Sequence, residues 1–128
     1  MTYIMIWLLV LLFCTTAVSA DKKDITVELT VPDSTWTLAI DEVYRVGDEL
    51  WVISIVSRNP EVAGAQVISI VRASVNLAAP DLPIKNFIIG KAWNWENPEP
   101  YTFITDLQQI EKALKTGELI YNAEKHSP

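Results

Sequence analysis

The sequence predicts a mostly β protein: a single β-sandwich or half-barrel of six to seven strands with one C-terminal helix. Apolar and polar residues alternate with a period of two in several stretches, which is typical of strands with one buried face. Turn-forming residues separate these stretches, and a helical pattern occurs only near the C terminus. The alternative is an α+β fold, in which the helix packs on one face of an antiparallel sheet.

The first twenty residues contain no charged side chain and no histidine. Their apolar run, Tyr3 to Cys14, is shorter than the roughly 20 residues of a membrane-spanning helix, but it suits the core of a signal peptide. Val18 and Ala20 supply the small residues expected before a cleavage site. We therefore expect a signal peptide over residues 1–20 and a periplasmic or extracellular protein. The alternatives are an uncleaved anchor and a lipoprotein acylated at Cys14.

The mature chain has the size of one domain, which we expect over residues 21–121, with a flexible tail over residues 122–128. It contains no cysteine, so its core forms without a disulfide. All charged side chains follow residue 20, and the net charge is −6 without a basic stripe. We therefore expect neither nucleic acid nor stable membrane insertion after cleavage.

The first half of the mature chain reads as three strands. Residues 25–31 alternate, and Pro32-Asp33-Ser34 ends that strand. A second strand begins at Trp36 and continues to about Val46, and Gly47-Asp48 predicts a hairpin turn. Leu50 to Val56 is apolar on both faces except for Ser54, which predicts a central strand with both faces covered.

The second half predicts three further strands and the helix. Gln66 to Leu77 is rich in Val and Ile and also predicts a strand in the middle of a sheet or in the core of a sandwich. After a loop, Ile84 to Lys91 and Tyr101 to Ile104 read as strands, and Glu118 to Tyr121 is a candidate last strand. Between the last two, Thr105 and Gln108 predict a capping box. One apolar helical face follows, and Gly117 stands at the position of a C-terminal cap.

Few residues offer catalytic chemistry. His126 is the only histidine and lies in the predicted tail, and the mature chain has no cysteine, so nucleophilic triads and the usual zinc sites are excluded. The adjacent carboxylates Asp41-Glu42 and Asp48-Glu49 do not converge on a regular strand, because neighbouring side chains point to opposite faces. We expect no enzyme, no cofactor and no metal. Trp36 and Trp51 are expected in the core, and Arg72 in an ion pair.

The aromatic segment from Trp93 to Tyr101 is the candidate binding site. On an extended backbone, Trp93 and Trp95 point the same way and form a platform for a sugar ring or an anchor for a protein. The predicted contact residues are Trp93, Asn94, Trp95, Glu96, Asn97, Tyr101 and, from a second loop, Asn59. The alternative is that both indoles pack on the core. The sequence therefore predicts an exported, non-catalytic binding or accessory domain with a protein or glycan partner.

A second reading rests on a family resemblance. Val46 to Leu50 leads through a strand to Asn59-Pro60-x-x-x-Gly64, and Lys91-Ala92-Trp93 follows later. This arrangement resembles chagasin-type cysteine protease inhibitors, whose Asn-Pro-Thr-Thr-Gly loop and later Arg-Pro-Trp loop form part of a wedge. Here Glu61-Val62-Ala63 replaces the two threonines, and the Arg-Pro pair and the middle glycine-rich loop are missing. The resemblance implies an inhibitor with Asn59 and Trp93 in its wedge.

A third reading is a structural subunit of the cell envelope that self-associates through its sheet edges, so that a homo-oligomer is possible. A fourth is an enzyme that acts through carboxylates.

Overall fold

The computed structural model describes residues 22–61 and 66–126, with the side chains of 125 and 126 left out. The predicted signal peptide, its cleavage site, Cys14 and Gly64 lie outside the described residues. Seven strands are present: β1 (Lys22–Val31), β2 (Trp36–Val46), β3 (Glu49–Arg58), β4 (Ser69–Ala78), β5 (Ile84–Ile89), β6 (Thr102–Ile104) and β7 (Glu118–Asn122). A 3-10 turn (Leu107–Ile110) leads into α1 (Glu111–Lys115), and α2 (Ala123–His126) follows β7.

The strands form two sheets, and the predicted fold class is confirmed. The small sheet is the antiparallel pair β1-β4, and the larger sheet has the order β6-β5-β3-β2-β7. In the larger sheet β3 pairs in parallel with β5, and β5 with β6. The predicted central position of β3 is therefore correct, as is the hairpin turn before it, where Gly47 takes a φ of +59°.

The main core lies between the two sheets. The alternating residues of β1 supply one side of it, and apolar residues of β2, β3 and β5 supply the other. Its fully buried members include Ile25, Val27, Leu29, Val31, Val43, Leu50, Val52 and Ile88. Burial of such side chains contributes roughly 1.5–3 kcal/mol each. The period-two pattern of β1 thus turns its apolar face toward the larger sheet.

A second, smaller core covers the other face of the larger sheet. Leu114 of α1 packs with Ile53 of β3, Phe87 of β5 and Ile104 of β6. The helical segment therefore lies on the outside of the sandwich. Trp51 is half-buried at the border of this core, where its ring centroid is 4.8 Å from that of Phe87.

Of the two positions predicted for Gln66 to Leu77, the middle of a sheet is wrong, whereas the sandwich core is correct, because Val71, Ala73 and Val75 pack against the main core. The strand is β4, and among the described residues it pairs with β1 alone. Its outward side chains interact with those of β1. The hydroxyls of Thr26 and Ser74 are hydrogen-bonded at 2.9 Å, and Glu28 and Arg72 form a salt bridge at 3.0 Å. The predicted ion pair of Arg72 is therefore confirmed, and it lies on the solvent face.

The predicted capping box of Thr105 and Gln108 is also wrong, by one residue at each position. The side chain of Asp106 accepts the N–H of Gln108 at 2.8 Å, and Gln109 reaches back to the N–H of Thr105 at 2.6 Å. Gly117 has no positive φ. It is needed because a Cβ there would lie 2.6 Å from the carbonyl oxygen of Arg45. At the C terminus, Asn122 belongs to β7 and residues 123–126 form a helical turn.

Candidate binding site at one end of the sandwich

Three connections meet at one end of the sandwich, which we call the loop end. They are the β1–β2 turn (32–35), the β3–β4 connection (59–68, described except for 62–65) and the β5–β6 connection (90–101), which we call the strap. The N–H of Asn59 donates to the carbonyl of Thr35 at 3.0 Å, which joins the first two. The rings of Trp36 and Trp93 lie 5.1 Å apart, which joins the strap to the start of β2.

The strap begins with a forced turn at Gly90. Its φ is +105°, and a Cβ at this position would lie 2.2 Å from the carbonyl oxygen of Val56. Only glycine combines this conformation with so close an approach. From there burial alternates: the side chains of Trp93, Trp95, Asn97, Glu99 and Tyr101 are half-buried, and those of Ala92, Asn94, Glu96, Pro98 and Pro100 are exposed.

The three tryptophans of the loop end form a stack. Trp93 is edge-to-face with Trp36 and tilted against Trp95, with 5.5 Å between the last two centroids. The Nε1–H of Trp93 donates to Asn97 Oδ1 at 2.8 Å, so its polar atom is satisfied inside the protein. Trp93 also packs against the main core. Trp95 is therefore the outer member of the stack, since it contacts Trp93 while Trp93 contacts the core.

Asn97 and Glu99 attach the strap to β1. The Nδ2 of Asn97 donates to the carbonyl of Thr30 at 2.7 Å and to Glu99 Oε1 at 2.9 Å. Glu99 Oε2 accepts the Thr30 hydroxyl at 2.6 Å and the Thr30 N–H at 3.2 Å. Hydrogen bonds to an ionised carboxylate are about twice as strong as neutral ones. The strap is thus held by a connected polar network.

The titration of Glu99 reflects this network. Burial raises the pKa of its carboxyl, but the hydrogen bonds from Thr30 and Asn97 outweigh burial, so the pKa lies below its ordinary value. Burial also raises the pKa of Tyr101, whose hydroxyl is hydrogen-bonded by the main chain of Glu28. Glu99 is therefore ionised, and Tyr101 neutral, at neutral pH.

The most exposed apolar side chains of the loop end come from the β3–β4 connection and the start of β4. Val67, Ile68 and Ile70 are 62%, 66% and 57% exposed. They belong to an uncharged run in the sequence between Glu61 and Arg72. An uncharged apolar run is typical of buried strands, so no local signal in the sequence indicated that these side chains are exposed.

The structure brings the predicted contact residues to the same end but turns them in different directions. Trp93, Asn97 and Tyr101 face inward and serve the attachment of the strap, whereas Asn94, Glu96 and Asn59 are exposed. The predicted common direction of the two indoles is correct, since Trp93 and Trp95 stack on each other. Thr30, to which the strap is anchored, was not among the predicted site residues.

Two other places on the molecule bring ionisable side chains close together. Asp41 and Glu42 meet at a bulge in β2, where burial raises the pKa of Glu42, and its Oε2 accepts the Tyr44 hydroxyl at 3.2 Å. A pocket of about 410 Å³ opens between Tyr44 and the helical segment, and its wall includes Leu107, Leu114 and the ion-paired Glu111 and Lys115. No group of three or more acidic, histidine or cysteine side chains in the described residues is placed to hold a metal.

Among the described residues, no helix has the length and apolarity needed to cross a membrane. Comparisons of the chain with models of protein families, with curated proteins and with solved structures find no significant match.

Proposed function

We propose that the chain is an exported, non-catalytic domain that binds a protein partner through its loop end. The observation that carries the proposal is the exposure of Val67, Ile68 and Ile70 in the β3–β4 connection and at the start of β4, at the same end of the sandwich as the strap. Large contiguous apolar patches on the surface of soluble proteins mark interaction sites. Glu61 and Glu96, which are exposed in the same two connections, supply a polar rim.

The geometry favours a protein over a glycan. A sugar-binding platform presents an open aromatic face, but Trp93 contacts Trp36 on one side and Trp95 on another, and its Nε1–H donates to Asn97. The exposed aliphatic side chains instead suit an apolar cleft in another protein. Trp95, as the outer indole, is the aromatic residue that we place in the contact.

A photo-crosslinking amino acid in place of Ile68 tests this proposal. We expect one discrete adduct in cells that express the chain, and none from the same amino acid in place of Ile84, an apolar residue 40% exposed at the start of β5. The partner identified in the adduct is then purified, and Ile68→Asp is expected to weaken its binding at least tenfold. Equal labelling from both positions, or strong signals on a glycan array that Ile68→Asp leaves unchanged, would contradict the proposal.

Export is the second part of the proposal, and it rests on the apolar, uncharged first twenty residues. Sequencing the N terminus of the protein recovered from the periplasm or medium is expected to begin at Asp21. Recovery from the cytoplasm with Met1 in place would overturn this part alone.

A cysteine protease inhibitor is the second candidate, because the structure brings Asn59 and Trp93 to the same end of the sandwich through Thr35 and Trp36. The side chain of Trp93 is half-buried, whereas a residue of the inhibitory wedge would project into solvent. Titration of papain with the protein tests this candidate, with Asn59→Ala as the variant and Asp48→Ala, at the opposite hairpin, as the control. Unchanged papain turnover at micromolar protein would remove it.

A further inference from the structure

One edge of the small sheet has no strand beside it. Among the described strands β4 pairs only with β1. Thr30 of β1 turns its N–H and C=O toward the strap, so its antiparallel partner Ile70 turns its own main-chain groups away from β1. Main-chain groups alternate along a strand, so those of Arg72, Ser74 and Asn76 point the same way. The outer edge of β4 thus presents a row of hydrogen-bonding groups that no described strand uses.

This edge lacks the features that usually keep sheet edges from pairing, which are short strands, prolines, lysines and bulges. β4 is ten residues long, contains no proline or lysine, and pairs with β1 in an unbroken register. Its only charged side chain, Arg72, lies on the solvent face and is paired with Glu28. The opposite edge of the small sheet is covered, because Asn97 and Glu99 of the strap bond to Thr30. The two edges of the sheet are therefore unequal.

The main core is incompletely covered along the same edge. The inward side chains of β1 are fully buried, whereas those of β4 that pack on the same core, Val71, Ala73 and Val75, are only half-buried. Across the sandwich β4 lies beside β2, whose Leu38 is also a half-buried member of that core. β7 pairs only with the later part of β2, so the beginning of β2 has no described strand on the side away from β3. We call this region, formed by Leu38, Val71, Ala73 and Val75, the open side.

The open side is uncharged. Its four side chains are aliphatic, and β2 carries no charge from Trp36 to Ile40, in a protein whose net charge is −6. A charged group placed there would lose its hydration without gaining a partner. The chemistry of the open side therefore selects apolar side chains, and the unpaired main chain of β4 selects an extended backbone.

We propose that the protein partner adds an extended, uncharged, apolar segment as a strand to the outer edge of β4. Main-chain hydrogen bonds to Arg72, Ser74 and Asn76 hold the segment, and its alternate side chains cover the open side. The site, which rests on the proposed function, continues the contact from the exposed Ile68 and Ile70 along the strand. The distance from Ile70 to Asn76 is about 20 Å on an extended strand.

A photo-crosslinking amino acid in place of Asn76 tests the course of the segment. We expect an adduct with the same protein that is captured from Ile68, and we expect mass spectrometry to place it in an uncharged, apolar segment. The control position is Thr26, on the solvent face of β1 and about 10 Å from an added strand, where no adduct is expected. Each substitution removes one side-chain hydrogen bond between β1 and β4, so the two proteins are matched.

Hydrogen exchange tests the main-chain bonds without a variant. In the free protein the amides of Arg72, Ser74 and Asn76 are expected to exchange fast, and those of Ala73 and Val75, which face β1, to exchange slowly. The probe is a synthetic peptide with the sequence of the partner segment that is cross-linked at Asn76. At saturation it is expected to slow the first three amides at least tenfold and to leave the other two slow.

Ser74→Pro and Ser74→Ala separate the main chain from the side chain. Both remove the hydroxyl that is bonded to Thr26, but only proline removes the N–H that points away from β1. An edge strand tolerates proline at such a position. Ser74→Pro is expected to bind the same peptide at least tenfold more weakly than Ser74→Ala. If Ser74→Pro has lost its β-sheet circular dichroism, Asn76→Pro is compared with Asn76→Ala in its place.

The outcomes separate this site from the proposed function. An adduct from Ile68 without one from Asn76, unchanged exchange at Ser74, or equal binding by the proline and alanine variants overturns the added strand and leaves the loop-end contact standing. An adduct from Asn76 without one from Ile68, with slowed exchange at Ser74, supports the strand and overturns the loop-end contact. No adduct from either position overturns both. An adduct from Asn76 that joins two copies of this chain overturns the assignment of the edge to a separate partner.

Discussion

The carboxylate of Glu99 accepts both the main-chain N–H and the hydroxyl of Thr30, a residue 69 positions earlier in the chain. The two residues come from the strap and from the small sheet, so their contact links the connection between β5 and β6 to the opposite sheet. The aromatic stack of the loop end depends on the same link, because Asn97 bonds both Thr30 and Trp93. The position of the aromatic stack and the closure of the sandwich are therefore coupled.

Replacing Glu99 is expected to destabilise the fold. Glu99→Gln exchanges a charged acceptor for a neutral amide facing two donors of Thr30, and the loss is expected to be about 1–2 kcal/mol. Glu96→Gln, on the exposed side of the same strap, is the control and is expected to change the free energy of unfolding by less than about 0.5 kcal/mol. Urea unfolding measures both. Equal effects of the two variants would show that the network does not stabilise the strap.

The pH dependence of stability follows from the lowered pKa of Glu99. A carboxyl whose folded pKa lies below its ordinary value of 4.5 stabilises the fold fully above that pH, and this contribution is lost as the pH falls through the folded pKa. We expect the difference in stability between the wild type and Glu99→Gln to shrink as the pH falls below about 4.5. Asp33 and Asp81, whose pKa values are also lowered, are present in both proteins and cancel in the difference. A difference that grows in acid would contradict the assignment.

Substitutions of the two strap tryptophans are expected to have different effects: Trp93 mainly affects the stability of the fold, and Trp95 mainly affects partner binding. Trp93 packs on the main core and on Trp36, so Trp93→Ala is expected to lower the free energy of unfolding by roughly 2–4 kcal/mol. Trp95 lies at the outer end of the stack, so Trp95→Ala is expected to cost about 1 kcal/mol and to weaken partner binding more than Trp93→Phe does. Chemical unfolding and binding to the crosslinked partner measure the two effects. A larger loss of stability for Trp95→Ala than for Trp93→Ala would contradict the placement of Trp95 at the outer end of the stack.

The period-two patterns of β1 and β2 and the turn at Gly47 were sufficient to predict the sandwich, because these signals are local. The position of β4 was not predictable in this way, since its Val and Ile content suits a central strand equally well. Its exposure follows from pairing with β1 alone, which only the fold decides. Local composition therefore predicts that a strand forms but not how many neighbours it has.

The course of the strap was predictable from the sequence, but the direction of its aromatic side chains was not. Alternation along an extended segment indicated that Trp93 and Trp95 share a side, and it could not say whether that side faces solvent. The inward direction depends on the main chain of Thr30. Its N–H donates to Glu99 of the strap, and its C=O accepts a hydrogen bond from Asn97. A contact over 69 positions leaves no local pattern in the sequence.

Glycine at the start of the strap is expected to be irreplaceable. Gly90→Ala combines a φ of +105° with a Cβ 2.2 Å from a main-chain oxygen, so it is expected to cost more than about 2 kcal/mol or to displace the strap. Gly47→Ala is the control: its φ is +59°, but no atom lies within 4 Å of the added Cβ, and the expected cost is about 1 kcal/mol. Thermal unfolding compares the two. A Gly90→Ala protein as stable as Gly47→Ala would contradict the close approach to Val56.

Ser54 is fully buried among apolar residues of β3. Its Oγ has no hydrogen-bond partner among the described residues, and neither does the buried Oδ1 of Asn86 on the neighbouring strand. Removing an unpaired buried hydroxyl gives up no hydrogen bond and relieves its desolvation, which costs roughly 1–3 kcal/mol. Ser54→Ala is therefore expected to leave the free energy of unfolding unchanged or to raise it by up to about 1 kcal/mol.

The matched control is Val52→Ala on the same face of β3, which opens a cavity in the main core and is expected to cost roughly 2–3 kcal/mol. Urea unfolding of both variants at pH 7 measures the contrast. A loss above about 1 kcal/mol for Ser54→Ala would mean that the hydroxyl is bonded in solution, and the interior at Ser54 and Asn86 would then be a satisfied polar site rather than an unpaired one.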